Sequence, residues 1–322
     1  MSSLVSILIP CYNAERWIAQ AIESALSQTW PAKEIIVVDD GSTDRSLQII
    51  QGFEGRIRWE TGPNAGGGST RNRLLELAKA EWLQYLDADD CLLEGKVAQQ
   101  MEAVARLPEL DLIFGPATLE HWSPQEVRRE LLPIPEPRDP WILLASWGLP
   151  QTGAPLWRKQ AIIDVGGWKR DQPCCQEHEL YLRLLMGGKR FVYHPANGAI
   201  YRQWSDETVC KRDVTEVHRR RLEIEQQLED HLRQTQQLTP ERLSAINQAR
   251  FEIARMAWRY DAGLARKIMR TIQGLQADFS PRGAAAPAHY KLFFHSLGFA
   301  AAERVASAFR ARAWRSAQSK DV

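Results

Sequence analysis

No run of apolar residues in this 322-residue chain approaches the roughly 20 needed to cross a bilayer as a helix. The amino terminus, MSSLVSILIPCYNAE, has no basic segment ahead of its apolar run, and that run is short for a signal peptide. Cysteine is scarce. The five present, Cys11, Cys91, Cys174, Cys175 and Cys210, are an odd number with no metal-type C-x-x-C pair, so reduced thiols in a cytoplasmic protein are expected. Net charge is nearly absent, with 41 Lys and Arg against 40 Asp and Glu, which gives no reason to expect a nucleic-acid partner. Two phosphate-binding signatures are also missing. The first apolar run is followed by PCYN rather than G-x-G-x-x-G, which argues against a nicotinamide dinucleotide enzyme. The glycine loop at 64–69 lacks the lysine of G-x-x-x-x-G-K-[ST], so it is not a P-loop. There is no internal repeat and no low-complexity tract.

The composition that remains is that of a globular protein, 44% apolar and 25% charged. Charge is unevenly spread. Residues 211–322 carry 20 Lys and Arg against 12 Asp and Glu, which leaves residues 1–210 acidic. Twelve tryptophans are many for this length and lean towards a carbohydrate ligand, since sugars pack on aromatic faces.

The first 90 residues alternate between strand-like and helix-like patterns. Apolar runs at 5–9 and 35–38 lack polar alternation, as strands covered on both faces do. The first is expected to stop at Pro10, which lacks an N–H. Asn13 is expected to cap the helix that buries Ile18, Ala21, Ile22, Ala25 and Leu26, and Ser42 or Thr43 the next. A weaker strand follows at 56–60, then a helix with Leu74, Leu75 and Leu77, and a strand at 81–86. This order predicts an α/β fold with a mainly parallel, doubly wound sheet, whose ligands bind beyond the carboxyl ends of the strands. Three polar clusters fall at those ends, at 10–13, 39–42 and 87–90. Beyond residue 90 a helix is expected at 96–106, a strand at 111–114, a surface excursion over 116–140, helices at 141–147 and 177–186, and a strand at 190–194. The chain after 211 reads as helical.

Asp87, Asp89 and Asp90 end the fourth strand. Carboxylates this close repel one another. A hard divalent cation would offset that repulsion, whereas a solvated turn would tolerate it; the cluster alone does not choose between them.

The segments VSILIPCYNAERWIAQAIESALSQT, EIIVVDDGSTD, NAGGGSTRNRLLELAKAEWLQYLDADD and GGWKRDQPCCQEHELYLRLL together resemble the family 2 glycosyltransferases of the GT-A fold, over roughly residues 4–205. The resemblance implies a nucleotide-sugar donor, usually UDP-linked, a divalent metal (Mg²⁺ or Mn²⁺), and inversion at the anomeric carbon. It assigns Pro10 and Tyr12 to the nucleobase pocket, Asp40 to a hydrogen bond with the base, and Arg71 to the neighbourhood of the nucleotide. Asp89 would contact the metal, Asp87 the ribose or the metal shell, and Asp90 would be structural, capping the next helix. Glu177 aligns with the general base, although Gln176 stands where relatives have an acidic residue. Trp168 would stack on the acceptor sugar and His178 would lie on the acceptor side. Tyr201, Arg202 and Trp204, followed by Ser205 and Thr208, would form a segment over the donor phosphates, with Arg202 neutralising the diphosphate. The acceptor would be a glycan or a lipid-linked sugar. A nucleotidyltransferase-like enzyme on the same sheet, or a binding module without turnover, are the alternatives.

The expected organisation is a GT-A catalytic domain at 1–210, divided into a nucleotide-binding part (1–90) and an acceptor-binding part (91–210), and a helical region at 211–322. Residues 282–322 hold seven Lys and Arg against two acidic residues, with Leu292, Phe293, Phe294, Leu297, Phe299, Val305 and Phe309 interspersed. This segment reads either as a peripheral contact with the inner face of an anionic membrane or as helices packed on the catalytic domain or on a second subunit of a homo-oligomer.

Overall fold

The computed structural model describes residues 3–107, 109–204 and 213–318. The chain divides into two compact units, Met1–Val214 and Thr215–Val322.

The first unit is built on a seven-stranded sheet. Its strands are β1 (Val5–Cys11), β2 (Lys33–Asp39), β3 (Arg58–Thr61), β4 (Trp82–Tyr85), β6 (Leu112–Phe114), β9 (Leu156–Arg158) and β10 (Phe191–Tyr193). Their spatial order is β10-β6-β9-β4-β1-β2-β3. β1 pairs in parallel with β2 and β4, β2 with β3, and β10 with β6. β9 runs antiparallel to both of its neighbours, so the sheet is mainly parallel with one reversed strand. Val5, Ile7, Leu8 and Ile9 are all fully buried, which is why β1 shows no alternation. Each contributes roughly 1.5–3 kcal/mol of burial.

Helices cover the sheet: α1 (Ile18–Leu26), α2 (Ser46–Gln51), α3 (Gly67–Leu77), α4 (Lys96–Arg106), α5 (Pro140–Ala145), α6 (Lys159–Asp164) and α7 (Gln176–Met186). Both expected helix caps are corrected. α1 begins at Ile18, and neither α1 nor α2 has a side-chain cap. Asn13 instead adopts a left-handed φ of 48° and bonds the loop after β2. Pro10 does not end its strand either. β1 continues to Cys11, with Pro10 opposite Val38.

The expected surface excursion over 116–140 is a second sheet. Its strands are β5 (Cys91–Leu92), β7 (Ala117–Trp122), β8 (Val127–Leu132) and β11 (Ala199–Gln203), in the order β5-β11-β7-β8. β8 is an exposed edge rich in charge (VRRELL), a composition that discourages edge-to-edge pairing and hides the strand from an apolar pattern.

The second unit is helical, with α8 (Val214–Gln234), α9 (Pro240–Ala257), α10 (Ala262–Leu275), α11 (Ala288–Leu297) and α12 (Phe299–Gln318). Its core includes Phe251, Ile253, Ile272, Tyr290, Phe294 and Phe299. Phe294 and Phe299 are therefore packing residues, while Leu292, Leu297 and Phe309 remain exposed. Among the described residues no helix is long and apolar enough to cross a membrane.

Candidate active site

The ends of β1 and β2 are laced together. Thr43 N–H donates to Asn13 Oδ1 at 2.8 Å, Asn13 N–H to Ser42 Oγ at 3.0 Å and Ala14 N–H to Ser46 Oγ at 2.8 Å. This lacing fixes the turn that carries Tyr12, whose side chain stands out half-exposed beyond the strand end, with Pro10 just before it in β1. Cys11, beneath the turn, is not a nucleophile: burial, with Asp39 nearby, pushes its thiol up to about 12.

Asp39 and Asp40 point to different partners. Asp39 accepts from Thr61 Oγ1 at 2.7 Å. Asp40 accepts from the backbone amides of Ala65 at 2.8 Å and Gly66 at 3.0 Å, and so holds the start of the glycine loop. Each carboxylate oxygen keeps a second lone pair for a ligand.

The glycines serve a close approach. A Cβ on Gly68 would lie 2.3 Å from the carbonyl oxygen of Lys169. The first turn of α3 therefore abuts the turn that leads to α7. Asn72 locks the contact, donating to the Trp168 carbonyl at 2.7 Å and accepting from the Trp168 amide at 2.8 Å.

One turn along α3, Arg71 bridges two stretches far apart in sequence. Its Nη2 donates to Asp87 Oδ1 and its Nη1 to Gln176 Oε1, both at 2.6 Å. Burial opposes its charge, but Asp87 and Glu177 outweigh that and hold it protonated.

Asp89 Oδ2 accepts from Trp204 Nε1 at 3.0 Å. Burial and the Asp87 carboxylate push Asp89 up, and burial with both neighbouring carboxylates pushes Asp90 well up. The cluster is short of positive charge. Among the described residues no group of three His, Cys, Asp or Glu side chains forms a metal site by itself. Two carboxylates nevertheless suit a hard cation such as Mg²⁺ or Mn²⁺, which takes its remaining oxygens from phosphates and water. Asp87 Oδ2 and Asp89 Oδ1, left open by the bonds above, are the oxygens that fit it.

Across Arg71 lies the first turn of α7. Glu177 has a quarter of its side chain exposed, and its Oε1 is 3.6 Å from His178 Nδ1. Burial alone would raise the Glu177 carboxyl. The His178 imidazole, the Glu177 amide at the helix start and Arg71 together hold it below the usual glutamate value. Glu179 faces away, paired with Arg183 and Lys169.

Four assignments differ from the sequence reading. Arg202 is not available to a diphosphate. It is buried, with Nε bound to Glu120 at 2.7 Å and Nη1 to the Asp89 carbonyl at 2.8 Å. Trp168 cannot stack on a sugar: it is 2% exposed and packed edge-on against Tyr85. His178 does not face an acceptor either, since its ring is buried and stacked on Trp147 at 3.8 Å. Asp90 caps no helix. It accepts the Arg202 amide at 2.8 Å and so ties β11 to the acidic turn. Ser205 and Thr208 lie outside the described residues. Nothing local in the sequence marks the roles of Gln176 and Trp204, whose partners Arg71 and Asp89 are distant in the chain.

Residues 6–138 match the model of the family described as Glycosyl transferase family 2. The chain is 38% identical over 112 residues to an uncharacterized glycosyltransferase of Rickettsia typhi, covering 35% of each protein. It is 34% identical over 119 residues to the glycosyltransferase GlyG of Streptococcus pneumoniae, covering 36% of this chain and 39% of GlyG. The chain thus spans well under half the length of these relatives. In fold it is similar to TarS residues 1–349 of S. aureus, solved in complex with UDP-GlcNAc, with a TM-score of 0.60 at 14% identity over 95% of this chain and 91% of that one. The strand-end carboxylates lie within a stretch, residues 6–138, that is similar to glycosyltransferase family 2, and the sheet that carries them shares its fold with a GT-A glycosyltransferase.

Proposed function

We propose that this protein is an inverting glycosyltransferase that moves a sugar from a UDP-sugar to a hydroxyl of a glycan or lipid-linked acceptor. The observation that carries this reading is the Arg71 bridge, which joins Asp87 to the start of α7 and so sets the acidic turn beside Glu177. UDP-GlcNAc, bound by the S. aureus neighbour, belongs to the same donor class.

Tyr12 offers its exposed ring to the base, Pro10 shapes the pocket wall, and Asp40 accepts from the base while it holds the glycine loop. Asp87 and Asp89 would hold Mg²⁺ or Mn²⁺, which when bound neutralises charge on the departing diphosphate. Arg71 pairs with Asp87 and holds it in place. Glu177, held ionised at neutral pH, takes the proton from the acceptor hydroxyl as that oxygen attacks the anomeric carbon. The new C–O bond forms on the face opposite the nucleotide, and the bond to the diphosphate breaks with its electron pair on the leaving group. Gln176, where relatives carry an acid, adds no charge beside Glu177; its amide instead accepts from Arg71 and donates to the Gln172 carbonyl at 2.7 Å.

Glu177→Gln tests the assignment. Transfer should fall by about 10²- to 10⁴-fold while UDP-sugar binding is retained, the range expected for loss of a general base. Near-full transfer by this variant would place the base elsewhere. Normal donor binding without any transfer by the parent protein would favour a binding module.

The second unit supplies a partner surface in the same reading. Leu292, Leu297 and Phe309 are exposed at 68%, 61% and 58%, in a segment with an excess of Lys and Arg. We infer that it rests on an anionic membrane surface, where lipid-linked acceptors would be found.

A further inference from the structure

We propose that Trp204 is a positioning residue for Asp89, holding one carboxylate oxygen so that the other is turned to the ligand. The inference rests on the reading of Asp89 as the metal-facing carboxylate. The indole Nε1–H donates to Asp89 Oδ2 at 3.0 Å. A free carboxylate can rotate and bind a cation through one oxygen or two. With Oδ2 engaged, Asp89 is held in a single orientation, with Oδ1 as the oxygen that Trp204 does not occupy.

The donor is itself held firmly. The Trp204 ring lies 5.8 Å from the buried ring of Trp17, which in turn meets Trp122 edge-on at 5.4 Å. The Arg16 guanidinium sits 3.6 Å over Trp122 and 6.0 Å from Trp204, and Arg202 lies 4.2 Å over the Trp17 ring. Just upstream, the Arg202 amide is bound to Asp90 and its guanidinium to the Asp89 carbonyl. The end of β11 thus grips the acidic turn at three atoms, of which only the Trp204 contact reaches the side chain that faces the ligand. Three tryptophans far apart in sequence converge on this one job, which accounts for part of the unusual tryptophan content without any sugar contact.

The test uses the full chain and the variants Trp204→Phe and Asp89→Asn. Phenylalanine keeps an aromatic ring and removes the N–H. Free Mn²⁺ is followed by electron paramagnetic resonance during titration in the presence of UDP, and UDP binding without metal is measured by calorimetry. Trp204→Phe should weaken Mn²⁺ binding by about 10- to 100-fold, the usual effect of removing a group that orients a metal ligand. Its metal-free UDP affinity should equal that of the parent, and it should have no further effect when added to Asp89→Asn. Parental Mn²⁺ affinity in Trp204→Phe, with binding lost in Asp89→Asn, would overturn the role of Trp204 and leave the metal reading standing. Parental Mn²⁺ affinity in Asp89→Asn would overturn the metal reading itself. Loss of metal-free UDP binding in Trp204→Phe would mark Trp204 as general support for the fold and would also overturn the proposal.

Discussion

Replacing Arg71 by Met preserves most of the aliphatic stem and removes the guanidinium. Two hydrogen bonds disappear, one to Asp87 Oδ1 and one to Gln176 Oε1. Breaking a buried ion pair from one side costs about 3–5 kcal/mol, because a charge is left without its partner. Asp87 keeps 29% of its side chain exposed, so water recovers part of that loss. Loss of the Gln176 bond adds a smaller term, and removing a desolvated guanidinium offsets some of it. The net expected destabilisation is about 2–3 kcal/mol. For a unit of roughly 200 residues each kcal/mol lowers Tm by about 2–4 °C, so the variant should melt about 4–12 °C below the parent. Circular dichroism on heating measures this, with urea unfolding as a second probe. Arg71→Lys separates charge from geometry: an ammonium can pair with Asp87 but does not reproduce a fork spanning both partners, so its loss should be intermediate. Transfer activity should fall by about 10²-fold in the Met variant, since Asp87 and the start of α7 lose their common tether. Unchanged melting together with unchanged transfer would refute the bridge as the link between the two halves of the site.

The remaining predictions are narrower. His178→Phe removes the main group holding the Glu177 carboxyl down, leaving burial to raise it. A base must be ionised to act, so the acid limb of the pH–rate profile should move to higher pH; an unmoved limb would separate Glu177 from that limb. The same lowered carboxyl stabilises the fold above its unfolded value and loses that contribution as pH falls through the folded value, so His178→Phe should also flatten the acid dependence of Tm. Gly68→Ala puts a methyl 2.3 Å from the Lys169 carbonyl and should cost about 1–3 kcal/mol by overpacking, read as a lowered Tm. Leu292→Glu with Leu297→Glu should abolish flotation with vesicles of anionic phospholipid; persistent flotation would reject the membrane surface.

The strands at the heart of the sheet were legible because burial on both faces favours apolar residues without regular alternation, as at the centres of β1, β2 and β4, where only Ser6 and Gln84 intervene. α4 was legible at both ends because its apolar residues keep a helical period. The hairpin of β7 and β8 was not, because an exposed edge carries little apolar signal and many charges. The helix caps failed for a related reason. Asn13 and Ser42 are good caps by residue type, but the chain uses them to bond one loop to another across 29 residues.

The acidic turn, its place at a strand end and the family of its flanking motifs follow from the order of residues alone, since local periodicity and spacing survive without knowledge of the fold. What surrounds each charged group does not. Arg71, Arg202, Trp168 and His178 were four plausible ligand contacts in the sequence. Only the tertiary structure separates the one that joins the halves of the site from the three whose side chains are spent on buried pairing and stacking. A side chain's availability depends on partners brought in from distant strands and helices, and long-range packing alone decides which of them arrive.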